Sequence, residues 1–390
     1  MNIAHITTLY PEYLTDFESR NPQIKAASFA EHRTLLYTDA FAWGDYFARY
    51  LAIRGKPCLH IIANYPALQH KWASENGFQP DSRDPLFSIV RAQVQQHATD
   101  FLFIEDCCAF PTAKVRLLEA AVRLRGIACY HGVESNIDHL VPPEALLLTC
   151  SPPMAREWHS KGYRTAILRH AFEPSVLLGL PPSEKKVDVS FIGSCSPLWH
   201  PERHDWLLNV MQGVPALEIW TDSFRKSARA MARAIAASLV HGRGSRVLAH
   251  FASPLRRRAH PAIYGRKMLA QLGDSLVTLN AHITQRNPTA GNMRLFEATG
   301  VGACLVTDAR DDLSEIFEPD VEVVTYATPE ESVEKVRWLL DHPLDAQAIG
   351  KRGQDRTLRD HTFAKRAEQL EQLMIAHTRD RQTRSHRAAT

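Results

Sequence analysis

Glycine, asparagine, arginine and glutamate stand close together in a short segment near residue 295. Gly291 and Asn292 precede a run of helical period, and Arg294 lies in its first turn. Unpaired N–H groups at a helix start, together with an arginine, suit a diphosphate. Glu297 follows Arg294 by three residues, so both side chains can share one helix face. A carboxylate there can accept hydrogen bonds from two ribose hydroxyl groups, whereas the alternative is a surface ion pair with Arg294.

Two further segments place small residues or cations beside predicted strands. Gly193 and Ser194 directly follow one strand, and Arg203 lies on the next helix. This turn could direct backbone N–H groups toward a diphosphate. Arg266 and Lys267 precede another strand by one helix, where they could neutralise the negative charge that grows on a leaving phosphate. The alternatives are an ordinary turn with a surface arginine and a pair of solvated cations.

A histidine occupies a similar strand end in the first half of the chain. His131 directly follows the predicted strand Ile127–Tyr130, and Glu134 lies three residues further on. Loops at the carboxyl ends of parallel strands are where ligands bind, so His131 could contact a sugar or remove the proton of an attacking hydroxyl group. We therefore predict a catalytic role for His131. The alternative is a structural histidine that satisfies a loop carbonyl.

Short runs rich in β-branched residues alternate along the chain with segments of helical period. This alternation is typical of parallel sheets covered by helices, and therefore of an α/β fold. We predict an N-terminal unit over 1–172, a hinge over 173–186, where three prolines and a charged cluster interrupt the pattern, and a second unit over 187–376. Residues 377–390 have few apolar side chains and are predicted to form a disordered basic tail.

Each unit should contain strands whose carboxyl ends converge on one edge. In the first unit we predict strands at Ile3–Thr7, Cys58–Ala63, Phe101–Glu105, Ile127–Tyr130, Leu146–Thr149 and Ala166–Arg169. In the second we predict strands at Val187–Ile192, Leu217–Trp220, Leu276–Leu279, Ala303–Val306 and Val321–Thr325. The predicted helices include Ala30–Arg54, Thr112–Arg125, Glu202–Met211, Asn292–Thr299, Pro329–Asp341 and Thr362–Ile375.

Composition excludes several classes of protein. Of the 390 residues, 45% are hydrophobic and 23% are charged, which is the balance of a chain with large buried cores. The first residues lack the basic and apolar regions of a signal peptide, and no apolar run reaches the ~20 residues of a spanning helix. We expect a cytoplasmic protein. The seven cysteines form no Cys-x-x-Cys pair, so we expect reduced thiols and no metal site.

The segment 223–273 concentrates the positive charge of the chain. It contains eleven Arg or Lys and no Asp or Glu. The formal net charge of the whole chain is +3, so the remaining residues carry a net charge of −8. On a helix, apolar side chains would gather opposite the cations: Phe224, Ala228, Met231, Ile235 and Leu239 against Arg225, Lys226, Arg229 and Arg233. Such a segment could keep its basic face in water or lie on anionic lipid at the inner face of the cell membrane. No nucleic-acid partner is expected.

Several motifs in the C-terminal half resemble those of a known family. GNMRLFEATGVGACLVTD at 291–308 is followed by DLSEIFEPDVEVVTY at 312–326, by G-x-x-R at Gly353–Arg356 and by HTFAKR at His361–Arg366. Together they resemble GT-B glycosyltransferases of the group-1 or family-4-like type, in particular the spore-maturation-protein branch. The resemblance extends over Val187–Leu370, with a weaker match in FIGSCSPLWHPERHDWLL near its start. The first half of the chain matches by architecture only.

This resemblance implies two Rossmann-like domains that face each other across a cleft, with a nucleotide sugar bound by the C-terminal domain. It implies no required metal, and we expect a UDP-sugar as co-substrate and no cofactor. In the family, the glutamate that corresponds to Glu297 contacts the nucleotide ribose. The wider family often has a second glutamate eight residues earlier, where this chain has Thr289. We expect the transfer to retain the anomeric configuration, but this replacement leaves inversion open.

The resemblance also implies an acceptor hydroxyl on a glycan, a lipopolysaccharide or a lipid-linked saccharide, as in polysaccharide biosynthesis. Two other functions are open on the same fold, because fold alone does not fix chemistry. One is a nucleotide-sugar epimerase or hydrolase. The other is a non-catalytic protein that binds a nucleotide sugar.

Overall fold

The computed structural model describes residues 1–389 apart from 134, 225–227, 241 and 283–287, with the backbone alone described at 229, 230, 381, 382 and 384–389. The chain divides into two compact units. Unit 1 comprises Met1–Arg169 together with Phe363–Thr390, and unit 2 comprises His170–Thr362. Within the described residues, no helix is both long enough and apolar enough to cross a bilayer.

Unit 1 is built on one parallel sheet. Its strands are β1 (Ile3–Thr7), β2 (Cys58–Ile62), β3 (Phe101–Ile104), β4 (Gly126–Tyr130), β5 (Leu146–Thr149) and β6 (Arg164–Ile167). They lie in the order β2-β1-β3-β4-β5-β6, and all neighbours are parallel. Every residue of β1, β3 and β5 is buried, as expected for a parallel sheet covered on both faces. The predicted strands of this half are confirmed, with their ends shifted by one or two residues at most.

Helices follow the strands of unit 1 in the expected alternation. They are α1 (Pro11–Arg20), α2 (Phe29–Asp39), α3 (Tyr46–Ile53), α4 (Pro66–Glu75), α5 (Pro85–Gln96), α6 (Thr112–Glu119) and α7 (Pro152–Ser160). Several begin with proline in the first turn, where its missing N–H costs no hydrogen bond. One predicted helix, Thr112–Arg125, is shorter than expected, because α6 ends at Glu119.

The prediction of a single helix over Ala30–Arg54 is wrong. The chain instead forms α2 and α3, because Ala40, Ala42 and Gly44 adopt left-handed backbone conformations with φ values of 56°, 55° and 49°. Such residues cannot continue a right-handed helix. The turn buries Trp43, whose side chain is only 3% exposed, and this burial offsets the strain of two alanines at positive φ.

Unit 2 contains a second parallel sheet. Its strands are β7 (Val187–Ile192), β8 (Leu217–Trp220), β9 (Ala259–His260), β10 (Ser275–Asn280), β11 (Cys304–Asp308) and β12 (Val324–Tyr326). They lie in the order β12-β11-β10-β7-β8-β9, with parallel neighbours throughout. All the predicted strands of this half are found, although β12 begins three residues later than the predicted strand Val321–Thr325. The two-residue strand β9 was not predicted, because a pair of residues carries no periodicity.

Seven helices of unit 2 are described around this sheet: α8 (Pro201–Gly213), α9 (Ala228–Val240), α10 (Gly244–Ala252), α11 (Gly265–Asp274), α12 (Arg294–Gly300), α13 (Pro329–Asp341) and α14 (Pro343–Asp360). A side-chain contact fixes α12 against α14. Thr299 and Thr357 share a hydrogen bond of 2.6 Å between the two helices. Gly353 permits this close approach, since a Cβ there would lie 3.3 Å from the side chain of Thr299.

The last helix, α15 (Phe363–Ala389), belongs to unit 1 and not to the C-terminal unit that the sequence predicts to end at 376. Its buried positions recur every three or four residues at Phe363, Ala367, Leu370, Met374 and His377. This face continues past residue 376. The helix therefore extends through the predicted disordered tail 377–390 as far as Ala389. The predicted hinge also differs, because 173–186 lies wholly within unit 2.

Candidate functional site

Three loops of unit 2 lie at the carboxyl edge of its sheet, after the neighbouring strands β7, β10 and β11. Gly193 follows β7 directly, Asn280 is the last residue of β10, and Asp308 is the last residue of β11. Ligands of parallel α/β sheets bind at this edge. The side chains that contact these loops define the candidate site, and they include most of the predicted donor-binding residues.

Arg294 and Glu297 form an ion pair of 2.8 Å, and their side chains are only 14% and 13% exposed. Arg294 also donates a hydrogen bond of 3.2 Å to the carbonyl oxygen of Ile192, at the end of β7. Both terminal nitrogens of the guanidinium group contact the sulfur of Met268 at 3.3 Å. The alternative interpretation of Glu297 as a partner of Arg294 is therefore observed, but the pair is mostly buried and lies at the candidate site.

Asn292 links the strand ends to the start of α12. Its Nδ2 donates to Oδ1 of Asn280 at 2.7 Å, and Nδ2 of Asn280 donates to the hydroxyl of Thr307 at 2.9 Å. The side-chain oxygen of Asn292 also accepts a hydrogen bond of 3.3 Å from the backbone N–H of Leu295. The helix begins at Arg294, two residues later than predicted. Gly291 and Asn292 therefore precede α12, and the side chain of Asn292 contacts both the end of β10 and the first turn of the helix.

Arg203, in the first turn of α8, is held in the same loops. It donates to the carbonyl oxygens of Ser194 at 3.0 Å and of Ala281 at 2.5 Å. Its Nε is buried without a hydrogen-bond partner in the described part of the chain, and burial lowers the pKa of the guanidinium group. Arg203 and Arg294 thus bond to the carbonyl groups on either side of Gly193, and they bring two guanidinium groups to one loop.

The loop after β7 is tied down by β8 and the residues that follow it. The N–H of Gly193 donates to the carbonyl oxygen of Trp220 at 3.0 Å, and the N–H of Cys195 donates to the hydroxyl of Ser223 at 2.8 Å. The hydroxyl of Ser194 lies 3.2 Å from that of Ser223. These two N–H groups are occupied within the protein. The N–H of Gly193 is therefore already paired within the protein, and the contact of Gly193 and Ser194 with a diphosphate stays a prediction.

Sequence reasoning missed a second polar group at this edge. The backbone N–H of His282 donates to Asp308 at 3.1 Å, and its Nδ1 lies 2.7 Å from the same carboxylate oxygen. Arg310 donates from Nε to the other oxygen at 2.9 Å. Burial alone would raise the pKa of Asp308, but the hydrogen bond from His282 and the charge of Arg310 hold it at about 2. The strand-end signal that selected His131 applies equally to His282.

The orientation of His282 gives it one nitrogen for another partner. If Nδ1 carries the hydrogen that Asp308 accepts, Nε2 is the acceptor in the neutral ring. This Nε2 is buried and has no hydrogen-bond partner among the residues that the structure describes. A ring nitrogen in this state can accept a hydrogen bond from a ligand or a solvent molecule.

The described contacts of Arg266 and Lys267 place neither cation in this cluster. Arg266 lies against the short turn Pro174–Gly179, and a Cβ built on Gly179 would be 1.4 Å from its Nη1. Lys267 is exposed. A glycine at position 179 leaves room for the guanidinium group, so Arg266 has a packing role that the sequence did not predict.

His131 lies in unit 1, where its ring is buried after β4. Its Nε2 is 2.8 Å from the hydroxyl of Ser135, and the ring lies 5.8 Å from that of Trp158. Burial lowers its pKa, although the charge of Asp106 opposes the shift. The ring is therefore neutral at pH 7 and could accept a proton. Its predicted neighbour Glu134 lies outside the described residues.

The sequence predicts no metal site. In the described part of the chain, no group of three or more histidine, cysteine or acidic side chains is arranged to hold a metal ion. The cysteines described here are free thiols, and most are buried. Burial raises the pKa of Cys304 to about 12, so this thiol stays protonated and packs as an apolar side chain.

Solved structures share this architecture. Sucrose-phosphate synthase from Thermosynechococcus elongatus is similar over 100% of both chains, with a TM-score of 0.56 and 14% identity. A glycosyltransferase from Rickettsia africae covers 96% of this chain and 98% of its own, with a TM-score of 0.56 and 9% identity. HepE from Anabaena, in complex with UDP-glucose, covers 96% and 100%, with a TM-score of 0.55 and 12% identity. No curated protein sequence matches the chain.

Two parallel six-stranded sheets with flanking helices, together with these similarities, define the class of protein: the chain has the GT-B fold of glycosyltransferases. The sequence carries the identification further. Residues 225–372 match the family model described as Glycosyl transferase-like. The predicted GT-B fold is confirmed, and this match, which covers less than half of the chain, supports the predicted resemblance to group-1 glycosyltransferases. The finer assignment to the spore-maturation-protein branch stays a prediction.

Proposed function

We propose that the protein transfers a sugar from a UDP-sugar to a hydroxyl group of a glycan or a lipid-linked saccharide, with retention of the anomeric configuration and without a metal ion. The donor is proposed to bind at the carboxyl edge of the sheet in unit 2. The GT-B fold supports a nucleotide-sugar donor, and the solved structure of HepE contains UDP-glucose.

The observation that carries this proposal is the pair of arginines around Gly193. Arg203 and Arg294 are largely buried, and their guanidinium groups bond to the carbonyl oxygens of Ser194 and Ile192. A nucleoside diphosphate gains negative charge as the sugar departs, and fixed positive groups in a water-poor site stabilise that charge. Two preorganised guanidinium groups can supply this stabilisation without a metal ion.

The remaining polar groups suit the rest of the donor. Glu297 is proposed to accept hydrogen bonds from the ribose hydroxyl groups, which requires that its contact with Arg294 loosen or that both oxygens be shared. Asn292 is fixed by Asn280 and could orient a phosphate oxygen through its position beside α12. The buried Nε2 of His282 is suited to a hydroxyl group of the sugar, because it can accept a hydrogen bond from one.

The acceptor side of the proposal depends on His131. This histidine is neutral because burial lowers its pKa, which is the state that a general base requires. Its hydrogen bond to Ser135 would have to exchange for one to the acceptor hydroxyl. Cytoplasmic location and a role in polysaccharide biosynthesis are proposed with the function, and no contact of the structure bears on them.

Nucleotide binding tests the donor site directly. We would titrate UDP, GDP and ADP, and then their sugars, into the full chain by calorimetry with EDTA present. We expect UDP to bind, and Glu297→Gln to weaken it at least tenfold, about 1.4 kcal/mol, because an amide accepts fewer hydrogen bonds from ribose. Glu334→Gln is the matched control, since Glu334 is an exposed residue of α13, and its affinity should equal that of the wild type.

Turnover separates the proposed function from the other two. Release of UDP that depends on added saccharide acceptors supports a transferase, and the coupling constants of the product linkage report whether configuration is retained. UDP release or sugar conversion without an acceptor would instead indicate a hydrolase or an epimerase. Binding of a nucleotide sugar with no turnover indicates the non-catalytic protein, and no binding by any nucleotide overturns the donor site.

A further inference from the structure

A pair of helices in unit 2 stands between β8 and β9, outside the donor loops. We call α9 (Ala228–Val240) and α10 (Gly244–Ala252) the basic helix pair. The two helices contact each other where Leu239 meets the start of α10, because a Cβ on Gly244 would lie 3.7 Å from its side chain. The pair falls within the acid-free segment 223–273.

Large apolar side chains of the basic helix pair face solvent. Leu239 and Val240 at the end of α9 are 58% and 81% exposed, and Leu248 and Phe251 on α10 are 74% and 54% exposed. Only twelve large apolar side chains are exposed in the described chain, and four of them lie within residues 239–251. They are therefore a patch and not the scattered surface residues of an ordinary soluble protein.

The face that α10 buries shows that this exposure does not result from loose packing. Its buried residue is His250, whose Nδ1 lies 2.9 Å from the hydroxyl of Ser196, while Leu248 and Phe251 lie three residues apart on another face. A helix that packed for stability alone would bury the leucine and the phenylalanine and expose the histidine. The ring of Trp199 is 37% exposed and 6.5 Å from that of His250, so it extends the apolar surface.

Exposed cations flank the patch along the chain. Arg233, Arg243, Arg256 and Arg257 are exposed, and the guanidinium group of Arg256 lies 5.4 Å from the centre of the Phe224 ring. No ion pair to a carboxylate is described for these four arginines in the part of the chain that the structure covers. Exposed leucine and phenylalanine beside arginine, in a segment that contains no acidic residue, complement a surface that is negative outside and apolar just beneath.

We propose that the basic helix pair docks on an anionic bilayer, with Leu248 and Phe251 entering the boundary between headgroups and acyl chains and the arginines among the lipid phosphates. An interfacial helix lies in the membrane plane, so the arrangement needs no spanning segment. A nucleic acid would match the charge but gives no reason for the exposed apolar side chains. The docking does not depend on the donor site, and a membrane-bound enzyme would meet lipid-linked acceptors in two dimensions.

Vesicle flotation tests the docking with the full chain and no nucleotide. We expect the wild type to float with phosphatidylcholine vesicles that contain phosphatidylglycerol and not with phosphatidylcholine alone. The double variant Leu248→Ser/Phe251→Ser should bind at least about tenfold more weakly, because the apolar insertion is lost. Leu344→Ser is the matched control, since Leu344 is 79% exposed on α14 of the same unit, and it should bind as the wild type does.

A second double variant, Arg243→Gln/Arg257→Gln, tests the contribution of the positive charge. It should bind anionic vesicles more weakly, and its binding should be less sensitive to added salt. Calorimetric binding of UDP by each variant checks that unit 2 is folded. Equal flotation of the wild type and the apolar double variant would overturn the proposal, as would binding to neutral vesicles as strong as to anionic ones. A dimer that dissociates in the apolar double variant, or duplex RNA binding that it leaves intact while vesicle binding is absent, also overturns it.

Discussion

The carboxyl edges of the two sheets hold carboxyl groups in opposite states of protonation. Asp308 ends β11 in unit 2, and Glu105 follows β3 in unit 1. The pKa of Asp308 is about 2, because His282 and Arg310 outweigh the effect of burial. Burial raises the pKa of Glu105 to about 8, and the charge of Asp106 adds to the shift. At pH 7 the same place on the same kind of sheet is an anion in one unit and a neutral acid in the other.

The partner of each carboxyl group explains the difference. Glu105 contacts His5 at 3.0 Å, but burial lowers the pKa of His5 to about 3, so this contact is a hydrogen bond between neutral groups. The ring of Phe103 stacks on His5 at 4.6 Å and excludes water. Unit 2 supplies guanidinium groups in the corresponding place. The comparison teaches that fixed cations, and not the fold, determine whether a carboxyl group at the sheet edge is ionised.

The largest expected effect is on the neutral acid of unit 1. The pKa of Glu105 rises from 4.5 in the unfolded chain to about 8 in the folded chain. Its contribution to stability is therefore fully present below pH 4.5 and is lost as the pH rises to 8, by up to about 5 kcal/mol. Glu105→Gln keeps the neutral shape and should remove that loss. Urea unfolding at pH 5 and pH 8.5 measures it.

The control for this change is Glu157→Gln, because the side chain of Glu157 is 59% exposed and its replacement should leave the pH dependence as in the wild type. Identical pH dependence in the wild type and Glu105→Gln would show that Glu105 ionises normally. The contrast between the two edges would then disappear.

A smaller loss of stability is expected when Arg294 of unit 2 is replaced. Arg294→Met leaves Glu297 mostly buried without a counter-charge, and breaking such a pair costs about 3 kcal/mol. Arg359→Met is the control, since Arg359 is 60% exposed and its loss should change stability by less than about 0.5 kcal/mol. Urea unfolding at pH 7 compares them. If both variants lost the same stability, the ion pair at the site would be no stronger than a surface pair.

The free energy of unfolding at acid pH tests whether Asp308 of unit 2 is ionised. Because the pKa of Asp308 falls from 3.8 in the unfolded chain to about 2 in the folded chain, its contribution is present above pH 3.8 and is lost as the pH falls to 2. The amount is about 2 kcal/mol. The stability difference between wild type and Asp308→Asn should be constant from pH 7 to pH 5 and shrink below pH 4. A difference that stayed constant down to pH 2 would contradict the assignment.

Most of the fold could be predicted because parallel strands buried on both faces leave a clear signal. The runs at Val187–Ile192 and Leu146–Thr149 were predicted to the residue. Local backbone choices could not be predicted in the same way. Ala40 and Ala42 adopt positive φ because Trp43 must reach the core, and nothing in the alternation of residue types records that tertiary requirement.

The site was predictable where one motif contained all its members. Asn292, Arg294 and Glu297 share a segment of six residues, so their proximity followed from helical spacing. His282 and Asp308 are 26 residues apart and meet only because β10 and β11 are neighbours in register. Arg266 has a contact that the motif could not reveal. Its guanidinium group occupies the space beside Gly179, and its contact with phosphate stays a prediction.

The smallest effect on donor affinity is expected when the histidine of unit 1 is replaced. His131→Asn removes a neutral base but no cation, so the affinity for UDP should stay within about twofold of the wild type, while acceptor-dependent turnover falls by a factor on the order of 100 or more. Calorimetry and a UDP-release assay measure the two quantities. Because burial lowers the pKa of His131, wild-type turnover should fall only below the ordinary range of histidine titration, as the ring becomes protonated.

His159→Asn is the control for this replacement, since His159 lies exposed on α7 of the same unit and should leave both quantities unchanged. If His131→Asn lost UDP affinity and turnover in equal measure, the histidine would belong to the donor site, and the division between a donor edge in unit 2 and an acceptor edge in unit 1 would fail. A loss of turnover alone, absent in the control, would sharpen that division to a single ring nitrogen.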